Sequence, residues 1–400
     1  MQKSYHYNIY SLYLIKLSKW LMLIMPIVAL FYNKNGLNDF AIFSLQAIYS
    51  LSVALLEIPS GYMADVIGRR KTLILGSIFG FLGYLFYSLS SSFSGFILAE
   101  ITLGLGGSLI SGADSAMLYD SLAAMRRRHQ YLQFEGRITS LGNFAETGAA
   151  ICGGLIAAFL SYRAVYISQT IIASLAIPAA FFLLEPPRQS MQSHPGIQHI
   201  WTVCKDSIFY NKKLSSTIFV SAITGIATLS MAWCAQIYFV TNDFSAVTIT
   251  PLWVALNLTV AIVAAFAAKA KAILGNRISL LLIICYIPLA YILLGSLPLL
   301  PALLSLFFFY AIRGYATPVL KDYINSNCAS ATRATVLSIR SMIIRIGFTL
   351  LGPAIGFISE TRSLSFALAL TGILLFILSA TSGFFLYRQL PENFSKKEFL

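Results

Sequence analysis

Charge is what this sequence has least of. Only 11% of its 400 residues are Asp, Glu, Lys or Arg, and acids are scarcer than bases, 15 against 28. Water-soluble domains carry about 25% charge, so a soluble multidomain enzyme and a disordered chain are both excluded. Histidine is also sparse: His6, His129, His194 and His199 all lie outside the apolar stretches. A metal centre or a histidine-based membrane acyltransferase has almost nothing to build from. The five cysteines (Cys152, Cys204, Cys234, Cys285 and Cys328) form no C-x-x-C pair and no metal-ligand spacing. No G-x-x-x-x-G-K-[ST] loop occurs, which removes the phosphate cradle of a nucleotide-driven machine. No cofactor is expected. A cleavable signal is not expected either, because the first apolar stretch follows Lys16 and Lys19 and is long enough to span a bilayer.

Apolar sequence is what remains. Hydrophobic residues make up 58% of the chain, and they fall into twelve stretches near 12–33, 38–62, 71–91, 94–122, 136–160, 164–184, 214–241, 247–268, 277–297, 299–322, 333–358 and 363–387. Each has the length of a transmembrane helix. The one long break, Glu185–Lys213, divides them into two sets of six. The expected organisation is an all-α integral membrane protein with a six-helix bundle at 1–184, a central cytoplasmic loop at 185–213, and a second six-helix bundle with a short tail at 214–400.

The 28 basic residues then fix the orientation. Twenty fall at the N-terminus, in the loops after even-numbered spans, in the central loop and in the tail, among them Arg69, Arg70, Lys71, Arg126, Arg127, Arg128, Lys212, Lys213, Lys396 and Lys397. The opposite loops hold only Lys34, Arg163 and Arg362. This bias places both termini in the cytoplasm of a multi-pass protein of a cell membrane, the bacterial inner membrane in this reading. The formal charge of +13 is therefore a topology code. Nucleic acid is excluded as a partner, while contact with the lipid bilayer and its anionic headgroups is expected.

The two halves echo each other. Gly112 to Asp120 and Gly314 to Asp322 each set a glycine and an aspartate eight apart at the inner end of a span, and Gly68-Arg69-Arg70 is echoed by Gly275-Asn276-Arg277. The loop after the second span reads Gly61-Tyr62-Met63-Ala64-Asp65-Val66-Ile67-Gly68-Arg69-Arg70-Lys71. It resembles the cytoplasmic signature of the major facilitator superfamily, G-x-L-x-D-x-x-G-R-[KR]. The resemblance implies two six-helix bundles related by pseudo-two-fold symmetry, a midplane site and alternating access. It also implies a cytoplasmic gate motif of Gly61, Asp65, Gly68, Arg69, Arg70 and Asp120. Ala272 stands where Asp65 would be repeated, so the gate reads as one-sided. Two further family signatures depart from pattern. R-x-x-Q-G-x-G becomes Glu100-Ile101-Thr102-Leu103-Gly104-Leu105-Gly106, and G-P-x-x-G-G loses its proline at Ala149 to Gly154. Both departures weaken a drug/proton antiporter assignment.

Charged residues inside spans are expensive and face a cavity or a partner. Helical spacing puts Glu100, Gly104, Gly107, Ser111, Asp114 and Ser121 on one polar face of span four, and Ser341, Arg345, Thr349 and Gly352 on one face of span eleven. Asp114, then Glu146 and Glu100, are the candidates for taking and releasing a coupling proton. Arg345 and Arg313 are the candidates for an anionic group of the substrate, with Arg340 assigned to substrate binding or helix packing. Lys16 and Lys19 are expected to snorkel to the interface. A static set of interhelix ion pairs, such as Glu146 with Arg345, is the plain alternative. The resulting expectation is a monomeric, proton-coupled secondary transporter of small organic solutes, leaning to export or exchange of drug-like amphiphiles. Its alternatives are uptake of an anionic metabolite or carboxylate siderophore and, from another class, a receptor or membrane enzyme that moves nothing.

Overall fold

A computed structural model describes residues 5–127, 130–186, 205–328 and 333–390. Most of the central loop and the tail from 391 lie outside the described residues. No strand occurs among those described. The helices are α1 (His6–Trp20), α2 (Val28–Lys34), α3 (Asp39–Val66), α4 (Arg69–Leu89), α5 (Phe93–Ala124), α6 (Tyr131–Phe159), α7 (Tyr162–Ser174), α8 (Ala176–Phe181), α9 (Lys212–Thr241), α10 (Ala246–Ser296), α11 (Leu299–Asn327), α12 (Arg333–Thr361) and α13 (Leu364–Tyr387). Inside a bilayer the backbone must satisfy its own hydrogen bonds, which is why an apolar chain of this kind is helical nearly throughout.

Nine helices among the described residues are long and apolar enough to cross a membrane. The twelve stretches read from the sequence are recovered once three details are included. First, α10 is two crossings joined by Gly275, whose φ of 73° breaks the helix. Second, the apolar part of α6 is short, Phe144–Phe159. Third, the first stretch is not one helix. It breaks between α1 and α2, where Pro26 has no N–H to donate and the Leu23 N–H bonds instead to Gln169 Oε1 at 2.8 Å.

Among the described residues five helices begin with a side-chain cap: Asn38 accepts from the Ala41 N–H, Ser92 from Gly95, Ser161 from Ala164, Asn211 from Leu214 and Ser363 from Phe366. All but the Asn211 cap fall in the brief loops that the charge bias assigns to the outer side. A one-residue cap satisfies exposed N–H groups where there is no loop to do so.

The chain forms two compact units, Met1–Gln192 with Phe239–Val254, and Ser193–Tyr238 with Ala255–Leu400. In the first, Leu12 and Ile15 of α1, Met117 and Leu122 of α5, Ile138 of α6 and Leu183 share a buried cluster. Glycines set the closest approaches. A Cβ on Gly106 of α5 would stand 2.7 Å from the Gly80 nitrogen and 2.9 Å from the Gly76 carbonyl of α4, so these helices meet backbone to backbone. In the second unit the packing of α9 on α12 is reciprocal: Ile344 fills the space over Gly225, and Ile226 the space over Gly347. Large apolar side chains such as Phe144, Phe159 and Leu350 are exposed at 77%, 82% and 72%. Outward-facing apolar surface of this kind is what a lipid-facing wall requires.

Candidate functional site

The motif loop turns on Gly68, whose φ of 110° lets α3 pass into α4 within two residues. The Arg69 guanidinium donates to the Ala116 carbonyl at 2.7 Å and is paired with the Asp120 carboxylate. Arg70 donates to the Phe181 carbonyl at 2.9 Å. The Glu185 carboxylate accepts the backbone N–H groups of Arg69 and Arg70 at 3.0 and 2.8 Å. An anion there meets the positive end of the α4 dipole and bonds two N–H groups of its first turn. Asn8 adds a second tie: it donates to Ser121 Oγ and the Leu184 carbonyl, and accepts from the Leu184 N–H. Gly61 and Asp65 lie on α3, but their surroundings are outside what the structure describes.

The second unit repeats the turn with different chemistry. Gly275 takes the place of Gly68 with positive φ, and the Tyr323 hydroxyl donates to the Asn276 carbonyl at 3.2 Å. Asp322, the counterpart of Asp120, is bonded to Lys271 Nζ at 2.7 Å, with the ammonium 4.3 Å from the Tyr323 ring centroid. The sequence pattern reads as one-sided because it looks for an aspartate at Ala272. The cation–aspartate pair is present in both halves, donated here by a lysine before the turn instead of an arginine after it.

The interior acids divide. Asp114 forms an ion pair with Lys16 of α1 at 3.4 Å, the two side chains being 13% and 11% exposed. Lys16 is thus turned into the unit and does not snorkel, contrary to the expectation from its place near a span end. Glu100 is buried elsewhere on α5. Its Oε1 accepts from Gln46 Nε2 at 2.8 Å, from the Tyr87 hydroxyl at 2.5 Å and from the Tyr32 hydroxyl at 3.2 Å. Fourteen residues of helix separate the two acids, about 21 Å at 1.5 Å per residue, so they do not form one site. Ser121, on the same sequence stripe, is used by Asn8. Glu146 is half-buried on α6 and engaged in contacts of its own.

The interior bases also divide. Arg340 donates from Nε to Ser221 Oγ of α9 at 2.5 Å, on the same contact line as Gly225 and Ile344, so it is tied into helix packing. Arg313 stands over the Tyr310 ring, 5.4 Å from its centroid, in cation–π geometry. Arg345 is half-buried on α12, and its Nε is enclosed with no hydrogen-bond partner among the described residues.

Multiple apolar crossings, paired charges at the turn glycines and ionisable groups inside each unit are those of a polytopic membrane protein. The chain belongs to the Major Facilitator Superfamily, whose family model matches residues 17–329. Multidrug resistance protein 2 of Bacillus subtilis is 23% identical over 89% of this chain and 88% of that protein. Putative multidrug resistance protein MdtD of Salmonella is 24% identical over 34% of this chain and 28% of its own. Among solved structures, the nucleoside transporter NupG superposes with a TM-score of 0.75 at 12% identity, covering 96% of this chain and 98% of the other. The D-xylose-proton symporter superposes with a TM-score of 0.74 at 15% identity, covering 97% and 98%. These likenesses carry the fold: all-helical, integral to the membrane, of the superfamily's two-bundle type. The protein is a multi-pass membrane transporter of small solutes.

Proposed function

We propose that this chain is a proton-linked exporter of small amphiphilic organic compounds. In this reading it works as a monomer in the cell membrane, with both termini cytoplasmic, by alternating access of its two six-span halves, 1–184 and 214–400. The observation that carries the reading is the Lys16–Asp114 pair. Holding two opposite charges 3.4 Å apart inside an apolar unit is costly, and burial seldom repays it in stability alone. A proton delivered to Asp114 dissolves the pair, so proton occupancy and the packing of α1 on α5 are linked. The name of the Bacillus subtilis relative, aligned over most of both chains, supports drug-like cargo and outward movement. The Arg69–Asp120 contact and the Glu185 cap support a cytoplasmic gate at the motif loop, with Gly61, Asp65, Gly68 and Arg70 as its remaining parts.

Proteoliposomes loaded with a panel of cationic and anionic fluorescent amphiphiles test this. An imposed pH gradient is expected to drive at least one dye in the wild type, and Asp114→Asn is expected to remove that dependence while dye counterflow persists. Transport indifferent to the gradient overturns the reading.

One observation favours a second reading, uptake of an anionic metabolite or carboxylate-bearing siderophore. The Nε of Arg345, which has no hydrogen-bond partner among the described residues, is chemistry waiting for an acceptor, and Arg313 and Arg340 bring more positive charge to the same unit. Under this reading anionic dyes alone are carried, and Arg345→Gln abolishes their transport whereas Arg345→Lys retains part of it.

A further inference from the structure

Glu100 is an ionisable side chain walled in by neutral groups. It faces Tyr32 from α2, Gln46 from α3, Tyr84 and Tyr87 from α4, and Tyr166 from α7. Phe31 and Phe96 close the cluster. Ring centroids lie 4.1 Å apart for Phe31 and Tyr166, 5.1 Å for Tyr87 and Tyr166, 5.4 Å for Tyr87 and Phe96, and 5.7 Å for Tyr32 and Phe96. One charged side chain touches the rim. Arg163 stands 5.7 Å from the Phe31 centroid, and its guanidinium is committed to the carbonyls of Ser88 and Ser90, the Ser91 hydroxyl and Asn35 Oδ1. Glu100 has no ion pair among the described residues.

A carboxylate kept from water without a cation is expensive, and neutralisation by a ligand removes the cost. Glu100 is 4% exposed and its Oε1 already accepts from these donors, so an ammonium group would have to displace them. The groups aimed at the carboxyl are hydroxyl and amide donors, whereas a metal ion needs acceptors. The hydroxyls of Tyr32 and Tyr87 are 2.6 Å apart, so one hydroxyl hydrogen lies between them. Either phenol can supply that hydrogen, which leaves the other phenol's O–H and the Gln46 N–H for Oε1. Two donors match the two lone pairs on the carbonyl oxygen of a neutral carboxyl group.

We propose that Glu100, with Tyr32, Tyr87 and Gln46, is an occluded proton site in the first unit, separate from the Lys16–Asp114 pair, that takes a proton and nothing larger. The proton adds to the carboxylate from water and leaves by the same route, and the shell side chains keep their own protons. Water reaches the site only when α2, α3, α4 and α7 part around α5, so loading is gated by the helix ends that the Arg163 hydrogen bonds hold together. Its part in a transport cycle rests on the proton-linked reading above; its existence does not.

Infrared difference spectra of the full chain in liposomes, between acidic and alkaline buffer, test the proposal without a substrate. The expected result is a carbonyl band of a neutral carboxyl that Glu100→Gln removes and Asp114→Asn leaves in place. Tyr87→Phe keeps the ring and deletes one donor, so the band is expected to move to higher frequency. Wild-type and Glu100→Gln spectra that coincide overturn the site. Should Glu100→Gln fail to fold, a band that Tyr87→Phe leaves unmoved overturns it equally. A band present alongside transport indifferent to pH leaves the site standing and removes the proton-linked reading. Proton-driven transport without the band does the reverse.

Discussion

Replacing Gly106 with alanine measures how tightly α4 and α5 are held. The new methyl would stand 2.7 Å from the Gly80 nitrogen, 2.9 Å from the Gly76 carbonyl oxygen and 3.1 Å from the Gly80 Cα. All three are backbone atoms, so no rotamer change relieves the clash. Ordinary contact begins at 3.4 Å, so the helices must separate by about 0.7 Å at this point. Overpacking of this kind costs about 1–3 kcal/mol, against a gain of about 0.8–1 kcal/mol from alanine's better helix propensity. The net loss is centred on about 1 kcal/mol and reaches at most about 2 kcal/mol. Gly80 supplies the control, because a Cβ there meets nothing within 4 Å, and Gly80→Ala is expected to gain up to about 0.8 kcal/mol. Two identical substitutions on facing helices should therefore differ by about 2 kcal/mol. Reversible unfolding in mixed micelles with rising SDS, followed by circular dichroism, reads the difference. The close-approach argument is refuted if Gly106→Ala matches or exceeds the wild type, or if the two variants coincide.

The turn glycines give a parallel test. Gly68→Ala and Gly275→Ala place a side chain at positive φ with extended ψ and should each lose about 1–3 kcal/mol in the same assay, even though Gly275 has open space around it. Arg163→Gln removes charged donors from two carbonyls and a hydroxyl between 2.8 Å contacts. It should cost about 1.5–3 kcal/mol, seen as a lowered unfolding midpoint and faster hydrogen exchange at the ends of α4 and α7. Arg69→Lys keeps the charge but loses the planar fork that serves Ala116 and Asp120 together. A loss of about 1 kcal/mol is expected, and stability equal to the wild type would show that the fork is not used.

The helical architecture was legible because bilayer crossing demands long apolar runs, and these survive in composition and spacing. The pairing of Arg69 with Asp120 was reachable through the motif around Gly68. Pairings between distant segments were not. Nothing local marks Asn8 as the partner of Leu184, or Glu185 as the cap of α4, since both depend on segments more than a hundred residues apart meeting. The break between α1 and α2 had a local signal in Pro26, but the group that repays it, Gln169, lies 146 positions away. Lys16 was misread for a related reason: its distance from the span end describes reach, while a carboxylate on α5 decided its direction. Glu100 was visible as an arginine replaced by an acid. Its phenol shell was hidden, because tyrosines at 32, 87 and 166 share no period.

The Asn8–Leu184 hydrogen bonds have a topological consequence. Leu184 returns its N–H and its carbonyl to the side chain of a residue near the start of the chain, so the first bundle is closed into a ring whose entry and exit lie side by side. A ring closed in this way has no privileged starting point. Joining residue 184 back to the start of α1 by a short linker and opening the chain at the loop Ser90–Ser92 should yield a permuted bundle with the same six-span order around its circumference. Asn8→Ala in that permutant would then cost little, the covalent link having taken over the work of the hydrogen bonds.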